Sequence, residues 1–566
     1  MQSTRQVGLA LEEIAALLEF GGESGFKVQA YTRAAEVVRT LGDELGPLVE
    51  QQRLRELSGI GTTLSRQIDE IWNTGTSEYL ERLRALQPPG VGELVQVQGL
   101  TPRRVRALHD ALGIASVIEL RDACAAGRVR AVPRFGAKTE AKLLAACERW
   151  LTRGDEAPDP VLLPRALELA ALIEKRLGVA VETAALAGAL RRAEEGVREL
   201  EFVIVGDAEP ALTELAGLRQ VLRTDPAKRL AYLTDALLLR LHPTTRATLG
   251  NALVEHTGSA QHWDALLARA RARGVVLRAE TEADSVTAFP NEAALYDALG
   301  LAFVPPELRQ GGSELHAAEH GGFSELVELT HLRGMVHCHT TYSDGKNSIV
   351  EMARAAHERG FTYLTVTDHS PSAHYARGVT LDRLYAQWDE IAAAQEEVPI
   401  RILRGTESDI LSDGSLDFPD SVLEQFDVVI ASIHARHRMD AAAMTARLSR
   451  ALGLPIFKIW GHALGRILNH RPPIECDVPA LLDTLAAARG AVEINADPHR
   501  LDLPPSWIPA ARERGIPFVI SVDAHSTRGL DVLRYGVSMA RRGGVRRGEV
   551  LNALAADDFA ARVRPV

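Results

Sequence analysis

The stretch MVHCHTTYSDG, residues 335–345, sets His337 and His339 on either side of Cys338 and puts Asp344 in a Ser-Asp-Gly turn. On a strand, positions i and i+2 share a face, so the two histidines are expected to point together while the cysteine points away. The aspartate of the turn then reaches the same mouth. One such pair is weak evidence for a metal, but later apolar runs end in similar side chains. TVTDHS carries His369, RGTESDI carries Glu407, ASIHARH carries His434, IWGHALGR carries His462, and SVDAHS carries Asp523 and His525. Each run reads as a strand followed by a helical or loop segment, the βα pattern of a barrel whose site lies at the C-terminal strand ends. Imidazoles mixed with carboxylates, without thiolates, suit Zn or Mn. These donors exceed the needs of one ion.

At 566 residues the chain is too long for one domain, and its 46% hydrophobic and 25% charged content suits several soluble, well-packed units. No apolar run is long enough to cross a bilayer, and MQSTRQVGLALEE does not read as a signal peptide. Four cysteines, widely spaced, exclude a disulfide framework and a thiolate zinc knuckle. A cytoplasmic monomer without a membrane partner is expected. The net charge of −11 excludes a wholly basic nucleic-acid binder. The segment 101–150 nevertheless gathers Arg103, Arg104, Arg106, Arg121, Arg128, Arg130 and Arg134, and such a local basic face can hold phosphates.

Three stretches within the helical first 150 residues share one form: LSGIGTTLSRQI (57–68), VQGLTPRRVRAL (97–108) and VPRFGAKTEAKLL (132–144). Each is an apolar-Gly turn opening into a helix, so that backbone N–H groups and a helix N-terminus face outward toward phosphate without reading a base. They resemble helix-hairpin-helix DNA-binding motifs. Gly59, Gly61, Gly99, Arg103, Arg104, Gly136 and Lys138 are the residues expected at DNA. The first stretch fits best. The second has Thr101 where glycine is usual, and the third is the loosest. TRGDEAPDPVLLP (152–164) and RQGGSELHAAEHGGF (309–323) read as linkers.

The HxH, TDH, central Glu, single-His and DxH segments over 332–566 resemble the PHP (polymerase and histidinol phosphatase) family. That resemblance implies a distorted seven-stranded (βα) barrel with three divalent ions, Mn or Zn, and metal-assisted phosphoester hydrolysis. It assigns His337, His339, Glu407 and Asp523 to one ion, Glu407, His434 and His462 to a second, and Asp344, His369 and His525 to a third. Ala463 stands where a proline often follows the histidine. Arg436, His437 and Arg466 lie near ligands in sequence and are candidates for neutralising a phosphate.

The middle of the chain, AGALRRAEEGVRELEFVIVGD (187–207) and EHTGSAQHW (255–263), resembles the nucleotidyltransferase palm of family X DNA polymerases, supported by ESGFKVQAYTRAA (23–35) and VPPELR (304–309). The order of parts is the bacterial PolX arrangement. It implies an N-terminal helical domain at 1–85, hairpin fingers at 86–155, a palm at 156–245, a thumb at 246–320 and the barrel at 321–566. DNA ends or primer-template and dNTP are the implied partners, in DNA repair. The palm departs from its family. Gly188 is followed by Ala189 rather than serine, although Arg191 and Arg192 are retained for the triphosphate. Glu199 and Glu201 occupy the places of two aspartates that would hold Mg or Mn. The third carboxylate position falls at Leu238, with Asp235 three residues away and Asp207 beyond the strand. Gln67 stands where the family's Schiff-base lysine would lie, and an amide cannot form that imine.

The expected protein is thus a 3′-5′ exonuclease with weakened or lost polymerase chemistry. A DNA-binding scaffold without catalysis and a small-molecule phosphatase are the alternatives.

Overall fold

The computed structural model describes the chain apart from residues 1–3, 24, 42–44, 58, 87–93, 95, 96, 98, 153–159, 219, 234–236, 280–284, 436–438, 470 and 566. The chain divides into two compact units, Met1–Pro158 and Asp159–Val566. The described residues of the first are helical, from Thr4–Phe20 to Ala137–Thr152. One apolar core runs through it, with Leu11, Ile14, Ile68, Ile71, Val105, Leu108 and Leu120 fully buried. The division expected at 85/86 therefore lies within the span of a single core.

The three hairpins share a backbone that their sequences share only in part. A turn is closed by Ile60 N–H to Leu57 O (3.1 Å), Leu100 N–H to Val97 O (3.0 Å) and Phe135 N–H to Val132 O (3.0 Å). The residue before each donor has positive φ: Gly59 at 87°, Gly99 at 94° and Arg134 at 72°. Glycine suits that position, so arginine in the third hairpin holds a conformation that costs about 1–2 kcal/mol. The donors Ile60, Leu100 and Phe135 are buried and anchor each turn to the core. A Cβ added at Gly59, Gly61 or Gly136 would meet nothing, which leaves those backbones open to close approach. At the second hairpin, Thr101 accepts the Arg104 N–H at 3.3 Å and so occupies one helix-terminal donor. The Arg104 guanidinium donates back to Gly99 O at 2.7 Å, and Arg103 pairs with Glu19 at 2.8 Å. The Lys138 side chain lies outside the described residues. Gln67, at the lysine's place, is buried with its carbonyl oxygen unpartnered.

The second unit begins with a two-stranded ribbon, β1 (Val161–Leu162) and β3 (Gly196–Val197), and a five-stranded sheet. That sheet comprises β2 (Thr183–Ala187), β4 (Glu199–Val205), β5 (Val221–Asp225), β6 (Leu230–Leu233) and β7 (Leu238–Thr244), in the order β2-β4-β7-β6-β5. β4 and β7 run parallel, with Glu199 beside Leu238 and Glu201 beside Arg240. The stretch 309–323, expected as a linker, is instead packed. Arg309 is fully buried on Glu292 (2.6 Å), and Glu314 takes the N–H of Gly311 and of Gly312 and contacts His262 at 2.8 Å. Its glycines serve this tight carboxylate turn rather than a loose connection.

The remaining strands are β8 (Gly334–Cys338), β9 (Tyr363–Val366), β10 (Arg401–Asp409), β11 (Val428–Ser432), β12 (Lys458–Trp460), β13 (Gly490–Asn495) and β14 (Phe518–Ser521). They form a seven-stranded parallel sheet in sequence order. Val522 N–H to Val336 O (3.1 Å), Ala524 N–H to His337 O (3.0 Å) and His339 N–H to Ala524 O (2.9 Å) tie the two outer strands together. The barrel interior changes character along each strand. Leu403, Val428, Ile430, Ala491 and Val519 form its apolar layer, and Glu407, Ser432, Glu493 and Asp523 follow at even spacing. The C-terminal helix Ala556–Val563 packs into the apolar layer, where Phe559 stacks on Tyr363 with ring centroids 5.0 Å apart. Palm and barrel share one apolar core and polar ties, among them Arg466 to Glu195 (2.6 Å) and Arg542 to Glu194 (2.8 Å).

Gly334 opens β8 against the Tyr363 ring, and a Cβ there would lie 2.0 Å from two ring carbons. The Gly334→Ala chain is expected to lose about 1–3 kcal/mol from overpacking. A lower midpoint in denaturant titration of the full chain is the measurement.

Candidate metal centre

The nine expected ligands converge at the C-terminal ends of the barrel strands, but β8 does it by an irregularity. Its pairing with β9 shifts register between Met335 and Cys338, and His337 sits at φ 67°. Regular alternation is therefore not what brings His337 and His339 together. The bulge re-aims His337, and the two rings meet with centroids 5.2 Å apart. His462 and Asp523 also have positive φ, 21° and 48°. Such conformations persist in non-glycine residues only where the surroundings over-determine them.

Glu407 is the centre of the arrangement. It is buried, and its Oε1 lies 2.8 Å from His462 Nε2 and 3.1 Å from His434 Nε2. Its Oε2 lies 2.9 Å from His369 Nδ1, 3.4 Å from His337 Nε2 and 3.6 Å from His339 Nε2. Asp523 Oδ1 lies 3.3 Å from His339 Nε2 and 3.7 Å from His337 Nε2. Asp344 Oδ1 is 3.3 Å from His525 Nε2 and 3.7 Å from His369 Nε2, at the open rim of the site. Three overlapping groups have donor atoms close enough to share a cation: His337–His339–Asp523, His369–Glu407–His434, and His339–Asp344–His369–His525. The structure thus brings His339 into the rim group and His369 beside Glu407, in addition to the partners expected for each.

The donors fit divalent cations on an independent ground. Among the described residues, His337 Nε2, both ring nitrogens of His339, His369 Nδ1, His462 Nδ1 and Glu407 Oε2 are buried without a well-aligned hydrogen bond. Unpaired buried polar atoms are costly, and coordination to a cation satisfies them. Electrostatics agrees. Burial would raise the Glu407 carboxyl, but His434, His369 and His337 hold it well below its usual range. Asp344 falls to about 2 against its burial because His525, His339 and His369 face it. Burial together with His525 and His369 drives His339 down to about 3. The carboxylates push His434 up to about 10 and His525 to about 9, burial opposing in both.

Supporting residues complete the site. Glu493 is fully buried, accepts from Ser521 Oγ at 2.7 Å and from the His462 backbone N–H, and contacts His337 Nδ1 at 2.5 Å. Asp409 Oδ1 lies 2.8 Å from His434 Nδ1. These pairs fix which ring nitrogen of each histidine faces the cluster. Asp368 accepts from Thr340 N–H (2.7 Å), Thr340 Oγ (2.6 Å) and Gln387 Nε2 (2.6 Å), pinning the loop between His339 and Asp344. The sequence reading passed over all three. Glu493 had a signal, a carboxylate at an inward position of the apolar run GAVEINA. Arg466 is not a phosphate contact, because Glu195 and the carbonyl of Leu501 take its guanidinium. Arg436 and His437 lie outside the described residues. Arg500 stands nearer the site, with Nε 3.5 Å from Asp523 and Nη1 buried without a partner. Tyr375, 68% exposed, sets its ring edge-on to His369 at 5.9 Å.

The palm is different. Glu199 and Glu201 share one face of β4, as expected, yet each meets a base: Arg240 Nε lies 2.5 Å from Glu199 and His242 Nε2 lies 2.9 Å from Glu201. Leu238 is beside Glu199, Asp235 lies outside the described residues, and Asp207 is exposed beyond the other end of β4, too far to compensate. Gly188 has φ 67° and admits Glu201, since a Cβ there would lie 2.2 Å from Glu201 Oε1. Arg191 is bound by Glu292 (2.5 Å) and Thr257 (2.9 Å), and Arg192 by the carbonyl of Thr257 (2.8 Å).

Comparison with known proteins accords with this architecture. Over 567 aligned residues the chain is 35% identical to the DNA polymerase/3′-5′ exonuclease PolX of Bacillus subtilis strain 168, covering 97% of each protein. The chain belongs to the bacterial PolX family. Models of a helix-hairpin-helix domain, a SAM-like helix-hairpin-helix tandem, the DNA polymerase beta thumb and the PHP domain match residues 5–77, 91–149, 252–310 and 336–495. The last ends before Asp523 and His525, which lie in the segment just after β14. The barrel is also similar to a probable phosphatase of Thermoanaerobacter sp. strain X514, 25% identical over 38% of this chain and 88% of that protein.

Because Glu493 holds His337 by Nδ1 while Nε2 faces Glu407, Glu493→Gln is expected to weaken metal retention about 10–100-fold while leaving the donors in place. Metal content after dialysis against graded chelator measures it.

Proposed function

We propose that this chain is a metal-dependent 3′-5′ exodeoxyribonuclease acting on DNA ends, with polymerase activity weak or lost. The observation that carries this reading is the set of buried, unpartnered imidazole and carboxylate atoms around Glu407, in a chain alignable over nearly its whole length with a named polymerase/3′-5′ exonuclease. Residues 1–85 and 86–155 grip the backbone through their hairpins, 156–245 and 246–320 act as palm and thumb, and 321–566 hydrolyses. His337, His339, Asp344, His369, Glu407, His434, His462, Asp523 and His525 would hold three divalent ions, Mn or Zn. When bound, such ions polarise a phosphoryl oxygen and yield hydroxide near neutral pH. Glu493 and Asp409 keep His337 and His434 in the tautomers that face the cluster. The free Nη1 of Arg500 offers a cation to the phosphate, and the exposed face of Tyr375 offers a platform for the terminal base.

The polymerase reading is weakened by charge and reach together. Glu199 and Glu201 carry longer side chains than aspartate, each already contacts a basic side chain, Arg240 or His242, and a misplacement near 1 Å can lower a rate about 10²-fold. Addition of dNTPs to primer-template with Mg²⁺ is expected to give little extension. Robust synthesis abolished by Glu201→Gln would overturn this part.

The decisive assay incubates primer-template and single-stranded DNA with Mn²⁺. Stepwise shortening from the 3′ end, abolished in His339→Ala, is the expected result. The similarity of the barrel to probable phosphatases favours one rival, and phosphate release confined to small esters would establish it. Tyr375→Ala is expected to weaken DNA binding by about 1–3 kcal/mol, the worth of one stacked base, with little change in turnover at saturation. Single-turnover kinetics over a range of chain concentration separates the two.

A further inference from the structure

The palm carries a second group of ligand-type side chains, of which the polymerase resemblance names only Glu201. Glu201 lies on β4, His242 on the adjacent parallel strand β7, and His256 in the helix Leu249–Thr257 that packs on this sheet. Glu201 Oε2 and His242 Nε2 are 2.9 Å apart, and the rings of His242 and His256 stack with centroids 3.6 Å apart at 15°. One donor atom from each residue lies within 4.8 Å of those of the other two. We propose that Glu201, His242 and His256 form a separate site in the palm for one borderline divalent cation of the Zn²⁺ class.

Three features support it. Two imidazoles and one carboxylate match the donor sets of Zn²⁺ and similar ions, whereas Mg²⁺ prefers oxygen donors and keeps its waters. His242 and His256 come from two separate packed elements, β7 and the helix Leu249–Thr257, and all three side chains are half-buried. The residues around the group are also fixed. Gly188 leaves room for Glu201, and Arg191 and Arg192 hold Thr257, the residue after His256. Glu199 is not part of the site, since Arg240 engages it on the other side. A palm of this kind exchanges the oxygen-rich environment of two Mg²⁺ ions for a nitrogen-rich pocket with open coordination positions.

The test uses the full chain stripped with chelator and then loaded with Zn²⁺ or with Co²⁺, whose visible absorption reports coordination geometry. Metal bound after dialysis is compared among the parent chain, His242→Gln, His256→Gln and the barrel variant His339→Ala, with circular dichroism confirming the fold of each. Glutamine at 242 can still donate to Glu201, so a simple hydrogen-bonded pair survives the change while a metal site does not. The expected result is that each palm variant holds one equivalent fewer than the parent. His339→Ala should keep that equivalent while losing metal from the barrel, and millimolar Mg²⁺ should not displace it. Equal stoichiometry in the parent and both palm variants would overturn the proposal, as would displacement of the palm equivalent by Mg²⁺. Because the barrel and palm variants are read separately, failure here is distinct from failure of the nuclease reading.

Discussion

A carboxylate buried in the middle of a barrel governs the larger unit. Glu407 is 1% exposed, and among the described residues no Lys or Arg side chain pairs with it. Five imidazoles from four other strand ends surround it instead. A buried charge survives only when it is compensated, and here the compensation comes from groups that also have lone pairs to give. The surrounding Asp344, Asp523, Glu493 and Asp409 add further negative charge. The arrangement makes sense as a container for positive charge. The apolar layer beneath it takes in Phe559 and Val563 of the C-terminal helix.

The palm illustrates the opposite solution to the same problem. There each acidic side chain is met locally, Glu199 by Arg240 and Glu201 by His242, at the surface of an open sheet. One oxygen of each is thereby engaged, Glu199 Oε1 and Glu201 Oε2. The Arg191–Glu292 and Arg192–Thr257 contacts likewise brace the palm against the thumb. The two sites share one unit and one apolar core, so the condition of one need not follow from the condition of the other. The barrel gathers metal-type donors around one carboxylate, whereas the palm pairs each of its two carboxylates with a single basic side chain.

Much of the barrel was legible before any coordinates. The strand runs that carry the nine expected donors could be read because a strand ending in His, Asp or Glu is a local pattern with a period of two, while the seven-stranded barrel came from the family resemblance. The reason given for His337 and His339 was nevertheless incomplete: a bulge, not regular alternation, brings them together, and a bulge leaves no fixed mark in the residues. Glu493 and Asp409 were overlooked because a second carboxylate in an apolar run looks like any other buried polar residue until its partner, more than a hundred positions away for Glu493, is known. Arg466 was misread for a related reason. Its neighbours in sequence are ligands, but its long side chain reaches the palm.

The hairpins draw the same line. The residues alone determined that helix N-termini with open glycine backbones recur along the first unit, since positive φ and the lack of a Cβ are properties of single positions. They also determined that the barrel strands end in metal-type donors, because side-chain chemistry and spacing are local. Only the tertiary structure decided that Arg134 adopts the glycine conformation of the third hairpin, that 309–323 packs rather than links, and that His242 and His256 meet Glu201. Those outcomes depend on long-range packing and charge pairing, whose energies arise between segments that no local pattern connects.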